Sequence, residues 1–292
     1  MSMTSAPAAG NHSRLREASR ALRDDCGVQQ SRGYFRWKVA IDLVVAYLLL
    51  IPAGAAIAVL VLLVRATSRG SGIYRQIRVG KDGRYFMMYK IRTMGSDAEA
   101  ETGPVWTLPG DPRTTFLGRI LRKLHLDELP QIFNVLRGEM SFIGPRPERP
   151  EFVRVLGEAV PHYCDRHLVR PGITGLAQIN LAPDTDLMSV HRKIALDLDY
   201  IRHADWWLDT RIFLCTALRS FKVREDVLVR VLGLQRPELL AATDASVEAC
   251  PGPEEATPGM ILLQAAQASL SNGEMHNRSR CSAKARCIKK AR

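Results

Sequence analysis

The sequence predicts a mainly helical α+β chain held on one face of a membrane. Its parts are one Pro-broken helix that re-enters its own face, interfacial amphipathic helices and a small β-hairpin. Three observations carry this expectation: an apolar run from Val39 to Val64 with basic residues at both ends, two strand-like runs around Gly80-Lys81-Asp82-Gly83, and helical periodicity over much of the remainder.

A chain of 292 residues suits one generous domain, or one domain with attachments. Lys and Arg total 41 against 30 Asp and Glu, and the net charge of +11 favours anionic partners without separating nucleic acid, nucleotide and lipid phosphate. Six cysteines lie scattered without a repeated short spacing, which argues against a disulfide scaffold and a zinc cage. No GxxxxGK[ST], Rossmann fingerprint, HExxH or CxxC occurs, so triphosphate hydrolysis and dinucleotide chemistry lack support.

Residues 1–31 are rich in Ala, Ser and Arg and read as a flexible basic arm. The membrane unit is expected over 32–70. Its apolar run exceeds the roughly 20 residues that span a bilayer, and it begins too far into the chain and runs too long for a cleavable signal peptide. Arg32, Arg36 and Lys38 precede it and Arg65, Arg69, Arg75 and Arg78 follow, so the positive-inside rule assigns both flanks to one side. Pro52 in the middle removes a helical hydrogen bond, which predicts a bend; with both flanks on one side this favours a hairpin, and an ordinary tilted spanning helix with a tolerated Pro is the alternative. Lys38 and Asp42, four apart, suit a pair at the helix entrance.

From 71 to 225 the pattern becomes that of a folded domain. Tyr85, Met87 and Tyr89 share a face of the second hairpin strand. After Asp111-Pro112-Arg113, an amphipathic interfacial helix carries Leu117, Ile120, Leu121 and Leu124, and a short buried helix is expected over IFNVLRG, ended by Gly138. GPRPERP at 144–150 forms a rigid basic loop, 151–170 reads as helix, PGITG at 171–175 as a tight turn, and 190–219 as a long helical region with an interfacial Trp206-Trp207 pair. Residues 226–292 are expected to form a variable, largely disordered tail.

Chemistry concentrates at Asp127-Glu128. Pro130 puts the pair at or just before a helix start, where backbone N–H groups favour carboxylates and phosphates alike. Aspartate is ionised at neutral pH and can attack phosphorus without losing a proton, while Glu128 suits Mg²⁺. Neighbours in a regular helix diverge by about 100°, so this division of labour requires an irregular start. A capped helix with a salt-bridged surface acid would use the same residues, as would a non-catalytic scaffold with basic lipid-binding loops.

The run Lys90-Ile91-Arg92-Thr93-Met94, followed by Asp111-Pro112-Arg113, Gly118-Arg119, LDELPQ at 126–131, Asn134, Gly138, Met140-Ser141, GPRP at 144–147 and PGITG at 171–175, resembles bacterial sugar transferases. More closely, it resembles the small monotopic polyprenyl-phosphate glycosyl-1-phosphate transferases, over about residues 34–219. No block of spanning helices precedes residue 38, so the longer type with an N-terminal membrane bundle is not expected. The resemblance implies a membrane enzyme on the cytoplasmic face of the bacterial inner membrane. Asp127 would be the nucleophile on a UDP-sugar, Glu128 the Mg²⁺ partner, and undecaprenyl or a similar polyprenyl phosphate the acceptor in the first step of a surface glycan. It also implies the re-entrant helix, although Ile51 stands where many relatives have Ser before the breaking Pro52.

Arg146 and Arg149 are the leading phosphate ligands, since guanidinium grips phosphate bidentately; pairing with Glu148 or Glu151 is the competing role. Arg92, Lys90, Arg113 and Arg119 follow, and Arg170 suits either the PGITG turn or the nucleotide. Membrane lipids complete the expected partners. No nucleic acid is expected, and apolar periodicity leaves pairing with a second copy of the chain open.

Overall fold

The computed structural model describes residues 32–95, 111–220 and 223–249. The arm at 1–31 and the tail from 250 onward lie outside the described residues.

Helix α1 runs from Arg32 to Thr67, with helical conformation carried straight through Pro52. The expected break is therefore a proline inside an unbroken helix. Proline deletes a single N–H, and resuming the helix at once leaves the fewest backbone groups unpaired where lipid offers no partners. At about 1.5 Å per residue the helix is roughly 54 Å long, well beyond a hydrocarbon core of about 30 Å. One face packs on the body, with Lys38, Asp42, Ala46, Ile57 and Val64 buried at separations of four, seven and eleven residues that keep them on one side of the helix, while Trp37, Leu48, Ile51 and Leu62 are exposed. Both ends are docked on the same body. Near the start, Tyr34 and Lys38 donate to Asp209; at the end, Arg92 Nη2 donates to Ser68 O at 2.9 Å and Oγ at 2.7 Å.

Strands β1 (Ile73–Val79) and β2 (Tyr85–Ile91) form the expected antiparallel hairpin, in register from Ile73↔Ile91 to Val79↔Tyr85. Phe86 and Met88 face the core, whereas Tyr85 and Met87 are exposed. The free edge of β2 is closed by the fully buried Asn134, whose Nδ2 donates to Met87 O at 2.7 Å and whose Oδ1 accepts from Tyr89 N at 3.3 Å. Helix α2 (Phe116–Lys123) starts at Thr115, whose hydroxyl accepts from Gly118 N, and Gly118 lies so close to Thr93 that an added Cβ would stand 2.0 Å from its carbonyl oxygen.

A 3₁₀ helix, Leu126–Gln131, leads into the short α3 (Ile132–Leu136), with Gly138 at φ 72° just beyond. Parallel strands β3 (Ser141–Ile143) and β4 (Gly172–Thr174) follow, the second occupying part of the expected PGITG turn. The helix expected over 151–170 is α4 (Pro150–Ala159) plus a 3₁₀ segment Tyr163–Leu168. After α5 (Leu176–Asn180), the long region divides at Ala204-Asp205 into α6 (Leu187–His203) and α7 (Trp206–Ser220).

The tail expected from 226 begins instead as structure: α8 (Glu225–Val231) and α9 (Pro237–Ala249). Leu228, Val229 and Leu234 are buried in the main core, and Arg192 pairs with Asp244 at 2.7 Å, which pins α9 to α6.

Two hydrophobic clusters make up the interior. The larger joins α4 through α8, the smaller joins α1, β2, α2 and α3, and Phe142 packs against both. The candidate site lies along their seam.

Candidate active site

A cleft of ≈ 1270 Å³ opens along this seam, walled on one side by Leu49, Pro52, Ala53 and Ala56 of α1 and on another by the 3₁₀ turn bearing Asp127 and Glu128. That turn begins at His125, whose left-handed backbone (φ 54°) breaks from α2. The irregular start required for two neighbouring carboxylates to do different work is thus present.

The two carboxylates have opposite surroundings. Glu128 Oε1 accepts from Lys90 Nζ at 2.8 Å and from Arg146 Nη2 at 2.6 Å, a three-member cluster linking β2, the 3₁₀ turn and the GPRPERP loop. Among the described residues Asp127 has no hydrogen-bond or ion-pair partner, although it is only 7% exposed. Burial raises the Asp127 pKa, opposed by the positive field of Lys90 and reinforced by the charge of Glu128. Burial alone would also raise Glu128, but Arg146 and Lys90 together hold it far below the usual carboxylate range. Burial lowers Lys90, while the charge of Glu128 raises Arg146.

Of the cations singled out from sequence, Lys90, Arg92, Arg146 and Arg149 line the cleft with Asp127, Glu128 and Pro52. Arg92 has a structural bond there, fastening the end of α1 through Ser68. Arg149 lies 3.6 Å from Glu151, while Arg146 reaches Glu128 rather than its neighbour Glu148. Arg113, Arg119 and Arg170 are not brought to the cleft. Arg113 is held by Asp111 at 2.6 Å, Arg119 lies over the Phe116 ring, and Arg170 packs beside Gly138. Lys38 and Asp42 are 4.0 Å apart, but the close partner of Lys38 is Asp209, and Asp42 accepts instead from Phe142 N at 3.5 Å.

The sequence reading missed Arg166, Lys193 and Asp197, and with them the supporting role of Glu148. Glu148 lies beneath the basic loop, bound to Lys193 at 2.6 Å and to Arg78 at 3.4 Å; although burial opposes its charge, these cations hold its pKa at about 2. Arg166 pairs with Asp197 at 2.7 Å and donates to Arg146 O at 2.8 Å. The available signal was Lys193 and Asp197 in phase with Val190, Ile194 and Ile201, charges at helix positions that face the core.

Among the described residues no group of three or more His, Cys, Asp or Glu could hold a metal. A magnesium ion would rely on one or two carboxylates, with substrate phosphate and water completing its shell. The Asp127–Glu128 pair in this cleft fits that donor set.

The family model for bacterial sugar transferases matches residues 33–223, the stretch that builds the helix, the cleft, the smaller core and most of the larger one. The chain belongs to the bacterial sugar transferase family. An undecaprenyl-phosphate glucose phosphotransferase of Komagataeibacter xylinus is 42% identical over 205 residues, covering 66% of this chain and 38% of that protein. A UDP-glucose:undecaprenyl-phosphate glucose-1-phosphate transferase of Caulobacter vibrioides is 39% identical over 61% of this chain and 67% of its own length. An uncharacterized sugar transferase of Bacillus subtilis is 36% identical over 64% and 87%. This sugar transferase thus spans well under half of the Komagataeibacter relative.

Proposed function

We propose that this sugar transferase moves a sugar-1-phosphate from a UDP-sugar to undecaprenyl or a similar polyprenyl phosphate, at the cytoplasmic face of the bacterial inner membrane. The reading rests on one observation above the others. A buried carboxylate, Asp127, without a partner among the described residues, stands beside a second carboxylate already gripped by Lys90 and Arg146, in a cleft walled by an apolar helix. Asp127 is the available nucleophile.

An Asp127 oxygen attacks the sugar-bearing phosphorus of the donor, the bond from that phosphorus to the bridging oxygen breaks, and UMP leaves with the electron pair. The result is an acyl phosphate carrying the sugar. A phosphate oxygen of the polyprenyl acceptor then attacks the same phosphorus and breaks the Asp127 O–P bond, giving polyprenyl-diphosphate-sugar and restoring the carboxylate. Neither nucleophile needs a dedicated base, since both are anionic at neutral pH. Lys90 and Arg146 offset charge on the phosphoryl oxygens, and their bond to Glu128 keeps them in place before substrate arrives. Mg²⁺, held by Glu128 together with Asp127 or substrate oxygens, would supply further charge neutralisation.

Two chemically different substrates meeting at one aspartate suit a two-step transfer at the bilayer surface, and the first product would begin a surface polysaccharide or another glycan. Docking of both ends of α1 on a single body supports the re-entrant reading, since a body that does not itself cross the bilayer keeps both ends on its own side. UMP release should be measured across a panel of UDP-sugars with polyprenyl phosphate present, and a phosphosugar adduct sought on a peptide containing Asp127. Release by wild type and none by Asp127→Asn is the expected result. Equal release by the two proteins would end the assignment of the nucleophile.

A further inference from the structure

Three cations, Arg166 and Lys193 buried and Arg78 half-buried, hold the underside of the loop that carries Arg146 and Arg149. Arg166 Nη2 donates to Arg146 O at 2.8 Å, Arg78 Nη1 to Pro147 O at 3.1 Å, and Lys193 Nζ meets Glu148 Oε1 at 2.6 Å. Prolines at 145, 147 and 150 strip this segment of N–H donors, so it depends on donors from elsewhere to fix its course. Lys193 also reaches a second lining segment, where it meets Asp184 Oδ2 at 2.6 Å. Asp184 sits between α5 and α6, and with Ala182 and Pro183 it lines the same cleft as Arg146 and Arg149.

We infer that Lys193 is a positioning residue for the donor substrate: it ties the Arg146–Arg149 loop to the 181–184 wall and so holds the nucleotide-sugar end of the cleft to its working width. The inference rests on the function proposed above. One ammonium lies between two carboxylates, and each of those carboxylates belongs to a different wall. Replacing it by an apolar chain of similar length leaves Glu148 with Arg78 at 3.4 Å and leaves Asp184 without this counter-charge, so the walls repel and relax apart. Asp127 and Glu128 stand on a separate element, the 3₁₀ turn, and Arg146 keeps its own ties to Glu128 at 2.6 Å and to Arg166 at 2.8 Å, so the groups that act on phosphorus stay in place. The defect therefore falls on donor binding and spares the chemical step.

Lys193→Met is expected to raise the donor KM about ten-fold while kcat changes by less than about two-fold, and Lys193→Arg to keep KM near wild type. Adding Asp184→Asn to Lys193→Met should recover part of the loss by removing the stranded carboxylate. Hydrogen–deuterium exchange gives a readout independent of turnover: Lys193→Met should speed exchange in both 146–149 and 181–184, with the 3₁₀ turn unchanged. A lower melting temperature with unchanged KM, or faster exchange in only one of the two segments, would overturn the inference. If wild type releases no UMP from any donor, the proposed function fails, and exchange still decides whether Lys193 joins the walls.

Discussion

At the scale of single residues, Asp127 and Glu128 are adjacent in sequence and opposite in energetics. The pKa of Asp127 is raised, so the folded state holds a proton more readily than the unfolded chain, and stability falls as pH rises through the interval between the two values. Glu128 is depressed, so its stabilisation is complete above the unfolded value of about 4.5 and is lost only as pH falls toward its much lower folded value. Asp127→Asn should therefore abolish transfer while leaving the melting temperature at neutral pH equal or higher. Glu128→Gln strands Lys90 and Arg146 and should cost about 3 kcal/mol in denaturant unfolding. Both substitutions remove one charge of the same sign, so a similar loss of stability in the two would refute the contrast. Activity should also decline on acidification from a higher pH than a solvent-exposed aspartate would give, as seen in a kcat/KM profile.

Much of this was legible: the acidic pair, its irregular helix start and the basic loop all stand in the sequence. Which carboxylate would be free was not, because that depends on Lys90, separated from Glu128 by 38 positions, arriving on the second hairpin strand. Arg113 and Arg119 looked equivalent to Lys90 by charge. Local pairing with Asp111 and stacking on Phe116 remove them from the cleft, and no spacing rule ranks such contacts in advance.

At the scale of elements, β3 and β4 are short strands that sequence patterning could not separate from loop and turn, yet they set the root of the basic loop. Their glycines explain why: a Cβ at Gly172 would lie 2.1 Å from Gly144 N, so backbone meets backbone where the loop departs. Gly172→Ala should force the strands apart and cost about 2 kcal/mol or more in stability, with a parallel loss of donor binding. Similarly, α6 begins with a capping box in which Asp186 accepts from Ser189 N at 2.6 Å. Asp186→Ala should destabilise by about 1 kcal/mol in a thermal melt while leaving the donor KM unchanged, since Asp186 lies outside the cleft lining. The hairpin, by contrast, was readable in full from its turn, because Gly80 and Gly83 bracket an Asp82 whose φ is 56°.

At the scale of the whole molecule, the apolar helix and the body form one unit. Single cysteines at Gly33 and Arg69, in a background without the native thiols, should react with a membrane-impermeant reagent from the same side of sealed vesicles. Gly33 suits the purpose, since an added Cβ meets no atom within 4 Å. Labelling from opposite sides would establish a crossing helix. The sequence conveyed the helix and its charge balance. It did not convey how intimately the helix joins the body, because the partner of Lys38 is an aspartate on a helix near the other end of the fold.

That partnership has a consequence for biogenesis. Lys38 and Asp209 are 171 residues apart, and Tyr34 and Tyr200 converge on the same carboxylate. At about 5–20 residues per second, a ribosome takes roughly ten to thirty seconds to bring the second half of this latch into being after the first. Throughout that delay the nascent helix already has its lipid-seeking surface but lacks its acidic counterpart, so insertion into the bilayer precedes closure of the protein around it. A translation product arrested before Trp206 should accordingly sediment with membranes while remaining open to protease, a trapped stage on the route to the mature enzyme.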